Sequence, residues 1–291
     1  PSKPSSGPPM RIMGDSISLQ RVSGLYAIKG ASPAAGFDPS YISVSGVAIG
    51  MRNFYNEGSV VRLPLTRLSA LERSGLQIVE GRGLIGVDSV GLTLGDISVK
   101  TLFSTVRADA GLPFATMALG PGAPMSVKAD GRLGLPDIES FMPSLKEFTS
   151  RIPARRPLDF DIDANGTVEN LVIDRLRAEM PEVLRLEADG YARNLLDLKK
   201  LQADVTFDGR LYSPRVADSF LSGTGVELPA FTIKGSAGVL RDAYHADFRL
   251  LSDAGDIAAD GRVSLGPETY SADIGLREFD VARFYPAPGI G

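Results

Sequence analysis

Residues 201–211 read LQADVTFDGRL, and the fold turns on what Asp208-Gly209 does there. Asp-Gly ordinarily closes a two-residue hairpin. The flanking residues would then pair and share a face, which sets apolar Phe207 beside charged Arg210. Run straight through as a strand, the same stretch puts Val205, Phe207, Gly209 and Leu211 on one face and the polar residues on the other. The same phrase returns as KADGRL (128–133), DANGTV (163–168), EADGYA (187–192) and AADGRV (258–263). Straight strands align Val127, Ala129, Gly131 and Leu133, then Ile162, Ala164, Gly166 and Val168, then Ile257, Ala259, Gly261, Val263 and Leu265. Glycine falls on the apolar row each time, so the straight reading fits better. Glycine within a strand relaxes packing and lets a sheet bend. Gly131, Gly166, Gly190, Gly209 and Gly261 therefore predict a sheet curled about its apolar face. Their spacing is irregular, so no strict solenoid period is expected.

Alternation of the same kind runs through 125–133, 158–168, 184–192, 201–211, 231–239, 244–250, 256–265 and 270–276. So many short alternating segments predict an all-β chain. Residues 1–14 read as a Pro/Ser/Gly linker, 15–122 as an N-terminal β segment, and 123–291 as a C-terminal β segment continuous with it. In SVGLTLGDISV (89–99) the phase shifts near Gly95-Asp96, as at a bulge. Leu65, Leu68, Leu71 and Glu72 have helical spacing, but Pro64 and Gly75 bound that stretch tightly. PDIESFMPSLKEF (136–148) predicts a short helix with Asp137 as its cap, limited by Pro143. SPRVADSFL (213–221) and FDVARFY (279–285) predict single helical turns on a sheet end. The Pro/Ser/Gly-rich ends read as cut loops, so the chain is expected to be a piece of something longer.

The 291-residue chain is long enough for a sizeable core, and 43% hydrophobic with 23% charged residues is a folded composition. A net charge of −4 without a basic run argues against nucleic acid as a ligand. The absence of cysteine removes disulfides, thiolate metal sites and cysteine nucleophiles. No apolar run reaches the roughly 18–20 residues of a membrane helix.

Several features mimic chemical sites. DFDIDANGTVENLV (159–172) carries acids and Asn at Asp161, Asp163 and Asn165 with Gly166 following, like half of a calcium loop. The bidentate Glu such a loop needs is Val172 here, and Leu158, Phe160 and Ile162 give the acids a strand context. His245 is the only histidine and falls on a polar row, so neither a His-based metal site nor a Ser-His hydrolase is expected. VDSVG (87–91) lacks the nucleophile-elbow pattern. Arg151, Arg155 and Arg156 form a basic cluster that reads as a solvated loop. Asp159, Asp161 and Asp163 share a face, with Asp247 and Asp273 as candidate neighbours for paired-carboxylate chemistry. Without Trp to stack on sugar, a polysaccharide-active protein is the least favoured reading. No catalytic residue, metal or cofactor is predicted, and the chain is not expected to be an enzyme.

The alternating strands, the ADGRL/ADGRV phrases and YSADIGLREFDVARFYP (270–286) resemble the TamB/AsmA-like proteins of Gram-negative envelopes. LSALERSGLQIVEGRGLIGVDSVGLTLGDISVKTLFSTV (68–106) is similar to part of the large TamB-like proteins of Bacteroidetes-type bacteria. The resemblance covers about residues 60–291. It implies a taco-shaped, incompletely closed, elongated β-sheet with an apolar lumen and a few short helices. It also implies a periplasmic location, an inner-membrane anchor outside this chain, and phospholipid as cargo between the two membranes. An Omp85-type outer-membrane partner, if engaged, would act through regions not recognisable here. On this reading the groove is lined by Val127, Ala129, Leu133, Phe160, Ile162, Val168, Leu186, Val205, Phe207, Leu211, Phe231, Ile233, Phe248, Leu250, Ile257, Val263, Leu265, Ile274 and Leu276. The apolar row alone fits a closed sandwich core better than a groove, and it is the resemblance that turns the reading to an open groove. A scaffold or chaperone presenting strand edges to outer-membrane proteins is the second functional reading.

Overall fold

The computed structural model describes residues 10–28, 30, 32–38, 40–114, 124–150, 152, 155–167, 169–194, 200–214, 227–241, 243–264 and 269–284. Fifteen strands form one antiparallel sheet in which spatial order equals chain order. The first six are β1 (Arg11–Ala27), β2 (Tyr41–Glu57), β3 (Val60–Glu72), β4 (Gln77–Val87), β5 (Gly91–Thr101) and β6 (Thr105–Pro113). β7 (Pro124–Leu133), β8 (Leu158–Thr167), β9 (Asn170–Met180), β10 (Leu184–Arg193) and β11 (Gln202–Leu211) follow. β12 (Phe231–Leu240), β13 (Ala243–Ser252), β14 (Gly255–Ser264) and β15 (Thr269–Arg277) complete it. The sheet does not close into a barrel, so β1 and β15 each keep a free edge. At about 4.8 Å per strand it extends about 65 Å across the strands. The result is an elongated, curved all-β groove, as the alternation predicts.

The Asp-Gly phrases lie within strands, not at turns: Asp130-Gly131 in β7, Asp189-Gly190 in β10, Asp208-Gly209 in β11 and Asp260-Gly261 in β14. The two predicted β segments belong to one sheet, because β6 pairs with β7 from Thr105↔Arg132 to Gly111↔Ser126. Arg11 to Gly14, expected in the linker, already belong to β1 and pair with Glu57 to Phe54. Residues 215–221 of the predicted helical turn, with Val168 and Leu265, lie outside the described residues.

Bulges explain where period two breaks. The helix-like spacing of Leu65 and Leu68 belongs to β3, where Leu65 pairs with Gly83 and Leu68 with Gly81. Three residues on one strand thus face two on the other, so an extra residue imitates a helical step. In β5 the shift falls between Leu94 and Ile97, with Asp96 at φ 49°, at the phase change predicted near Gly95-Asp96.

The helices sit where the strands turn at one rim. Between β7 and β8 run α1 (Leu135–Phe141), a 3-10 turn (Pro143–Leu145) and α2 (Lys146–Thr149), and after β15 comes α3 (Val281–Phe284). Asp137 is not the cap of α1. That position is Gly134, followed by Pro136 in the first turn, where a missing N–H costs nothing. The core lies beneath this segment: Leu135, Ile152, Met180 and Val183 are buried, with Ile138, Leu158, Leu184 and Leu211 against them. α3 closes as the predicted single turn, its Phe284 buried and stacked on Phe279 at 4.3 Å.

Gly190 needs to be glycine for two reasons. Its φ is +156°, and a Cβ there would lie 2.2 Å from the Asp204 carbonyl oxygen on the next strand. A Cβ at Gly261 would meet nothing closer than 3.9 Å. Gly190→Ala is expected to lower stability by about 1–3 kcal/mol, and Gly261→Ala to leave it nearly unchanged. Urea unfolding midpoints of the two variants check this, and equal losses would contradict it.

Candidate functional site

Directly paired residues of antiparallel strands share a face, so the register lays ladders across the sheet, perpendicular to the strands. One ladder runs from β5 to β15 through Val99, Val106, Gly131, Phe160, Ala178, Leu186, Gly209, Ile233, Leu250, Ile257 and Leu276. Its neighbour runs through Ile97, Ala108, Ala129, Ile162, Leu176, Ala188, Phe207, Gly235, Phe248, Ala259 and Ile274. A third, of smaller residues, runs through Leu94, Ala110, Val127, Ala164, Ile173, Gly190, Val205, Ala237, Ala246, Gly261 and Ala272. None of the three contains a polar side chain. The apolar band thus crosses eleven successive strands.

Toward the helical rim, Leu133 pairs with Leu158, Leu184 with Leu211, and Leu211 with Phe231. At the opposite rim Gly166 pairs with Leu171, and Val263 with Tyr244 and Tyr270. Every described lining residue expected from the sequence falls on this one face, as do all five glycines. Sequence reading missed Val99, Val106 and Ala108, and most of β9. In β9 Ile173 and Leu176 are three apart, yet both face inward because Asp174 is the extra residue of a bulge. Alternation in TVRADA (105–110) and RLRAEM (175–180) could have found Val106, Ala108, Leu176 and Ala178, whereas Ile173 joins the same face only through the register shift.

The face is not covered as a core would be. Of the expected lining residues Leu250 is buried, most others are half-buried, and exposure reaches 55% at Leu276 and 66% at Ile274. A second sheet packed on this face would have buried them, so the closed-sandwich alternative fails for this chain.

The opposite face carries the charges. Arg132 holds Asp159 through two hydrogen bonds of 2.6 and 3.1 Å, Arg175 pairs with Asp161 at 2.8 Å, and Lys128 with Asp163 at 3.1 Å. The carboxylates of the calcium-like stretch are therefore ion-pair partners across strands. Asp247, Asp260 and Asp273 align on β13, β14 and β15 of this face. Among the described residues no group of three or more His, Asp or Glu is placed to hold a metal. His245 Nε2 lies 3.2 Å from Asp204 Oδ2, two strands away. It reaches over Gly238, where a Cβ would sit 2.4 Å from the imidazole ring. Of the basic cluster, Arg155 pairs with Glu139 at 2.8 Å and Arg156 with Glu182.

The α1–α2 segment straps the helical rim. Gly134 N–H donates to Ser104 Oγ at 3.0 Å, and the hydroxyls of Ser104, at 2.5 Å, and Thr101 donate to the buried Asp137 carboxylate. At the end of α1 Phe141 stacks on Phe37 at 4.7 Å, and Phe37 N–H donates to the Phe141 carbonyl at 3.2 Å. The strap therefore reaches from the β5–β6 turn to the β1–β2 connection. Beneath it is a cavity of about 790 Å³ lined almost wholly by apolar side chains, among them Val99, Val106, Leu133, Leu158 and Leu184. It opens onto the ladders.

No helix among the described residues is long and apolar enough to cross a membrane. No family model matches the chain, and neither a curated protein nor a solved structure matches it.

Asp137→Ala would leave the Thr101 and Ser104 hydroxyls buried without their acceptor. The expected cost is about 1–3 kcal/mol, with faster amide exchange at Ser104 and Gly134. A second outcome concerns pH. The Thr149 hydroxyl, and after an opposing effect of burial the Arg155 guanidinium, hold the Glu139 carboxyl below its ordinary 4.5. A depressed carboxyl contributes stability above its unfolded pKa and loses it as pH falls through the folded one. Amide protection of α2 is expected to drop as pH is lowered from about 4.5, and Glu139→Gln is expected to remove that dependence.

Proposed function

We propose that this chain is a groove segment of a lipid-transfer protein of the cell envelope, one that shields phospholipid acyl chains on their way between inner and outer membranes. The observation that carries this reading is the continuity of the apolar ladders across eleven strands while their side chains remain partly open. An acyl chain in water costs about 0.8 kcal/mol per CH₂. A face of Val, Ile, Leu, Phe, Ala and Gly removes that cost at every position along the sheet. It offers no hydrogen bond that would hold the cargo at one place, so a tail slides between equivalent positions. The polar headgroup stays at the open seam, and the charged outer row keeps the other face in water. The reading agrees with the resemblance to TamB/AsmA-like proteins, which adds the periplasm as the location. It also adds a membrane anchor and any Omp85-type partner, both outside this chain. On this reading no described residue has to carry out a chemical step.

A second reading rests on the free edge of β15. Its Tyr270 is 87% exposed, and the strand has no proline and no bulge against β14. Such an edge accepts another strand by β-augmentation, which favours a scaffold for outer-membrane proteins.

A photoreactive residue at Phe207 or Ile162 is expected to give phospholipid adducts in cells, and one at outward Asp208 none. Adducts confined to proteins, formed from β15 and not from inward positions, would replace lipid transfer with the scaffold.

A further inference from the structure

We propose that the strap-roofed cavity is a dedicated binding site for one long acyl chain, a bay in which a tail rests apart from the open groove. The inference rests on the lipid reading of the groove and adds a place to it. Elsewhere no described residue roofs the ladders. Here Ile138 and Leu145 of the strap join Val99, Val106, Leu158 and Leu184 of the sheet in lining a cavity of about 790 Å³. That volume lies within the range of about 300–1,000 Å³ typical of small-molecule sites.

The lining chooses the ligand. A roomy cavity with almost no polar surface has too few partners to hold ordered water, and it takes an apolar occupant instead. The polar groups beside it are already engaged. Asp137 accepts from Thr101 and Ser104, and Glu139 accepts from Thr149 at 2.5 Å and Arg155 at 2.8 Å. Among the described polar side chains that line it, Thr101, Ser104, Asp137 and Thr149 already have partners, which favours a tail over a headgroup. A chain without polar atoms enters from the ladders, which run beneath the strap through Val99 and Val106.

The strap is built to stay in place over this bay. Its first helix is fixed by the buried Asp137 cluster and the Phe37–Phe141 stack, and its last turn is tied back to that helix by the Thr149–Glu139 hydrogen bond. Leu135 and Ile138 pack into the core at this rim, and the rest of the apolar lining encloses the bay beside it.

The chain contains no tryptophan, so one introduced tryptophan reports a single place. Leu145→Trp and Val106→Trp put the reporter in the roof and floor of the bay, Phe248→Trp in the open groove, and Asp208→Trp on the outer face. Circular dichroism checks that each variant keeps its sheet, and either bay variant suffices if the other fails to fold. Each is titrated with 9,10-dibromostearate below its critical micelle concentration, and separately with vesicles of dibrominated phosphatidylcholine, since bromine quenches only on contact. The bay reporter is expected to lose at least about half its emission, with Asp208→Trp unchanged. Quenching by the free acid alone assigns a single-chain fatty acid to the bay, and quenching by the vesicles assigns one tail of a diacyl lipid. Quenching at Phe248→Trp without any at the bay positions overturns the bay and leaves the groove. No quenching at Phe248→Trp or in the bay overturns both.

Discussion

From β5 onward each strand offers an apolar row, and antiparallel pairing sets that row opposite the next one only while register is kept. A slip of one residue would turn the whole row of a strand to the other face. The pairing from β10 to β15 has no slip. Where the chain carries an extra residue, as at Asp96 or Asp174, a bulge absorbs it and the next apolar residue returns to the same side. The groove, the charged outer face and the position of the strap all depend on this phase.

The charged face follows from the same register. Once the apolar residues are aligned, the polar ones are aligned too, and they pair across strands as Arg132–Asp159, Arg175–Asp161 and Lys234–Asp208. These pairs are largely exposed, and each is worth little on its own. Their contribution is to make one side of a thin sheet polar, opposite the apolar side. The like charges of Asp247, Asp260 and Asp273 show that pairing is not optimised everywhere, and backbone register dominates over side-chain charge there.

Among the described residues, the strap is where the sheet gains a conventional core. Leu135 and Val183 are among the most buried side chains, and both lie at the helical rim. No described residue forms a second layer over the rest of the inner face. A soluble protein rarely leaves so much contiguous apolar surface uncovered without using it. The contrast between one covered rim and a long uncovered floor separates this sheet from a sandwich.

The alternation was legible wherever strands were regular, and the choice between strand and turn at Asp208-Gly209 followed from the faces alone. Phe207, Ile162, Ile257 and the five glycines could be assigned to one row without any coordinates. The row was not legible in β3 or β9, because a bulge converts a spacing of two into three and imitates a helix. The role of Asp137 was misread as a cap, because its partners Thr101 and Ser104 lie more than thirty residues earlier in the chain. By itself, then, the sequence determined that the chain makes strands with one apolar face, since period two is a local property of the covalent chain. Only the tertiary structure decided that this face stays open, that its rows join into ladders, and that a strap covers one rim. Those outcomes depend on register and on contacts between residues far apart in the chain, which no local pattern records.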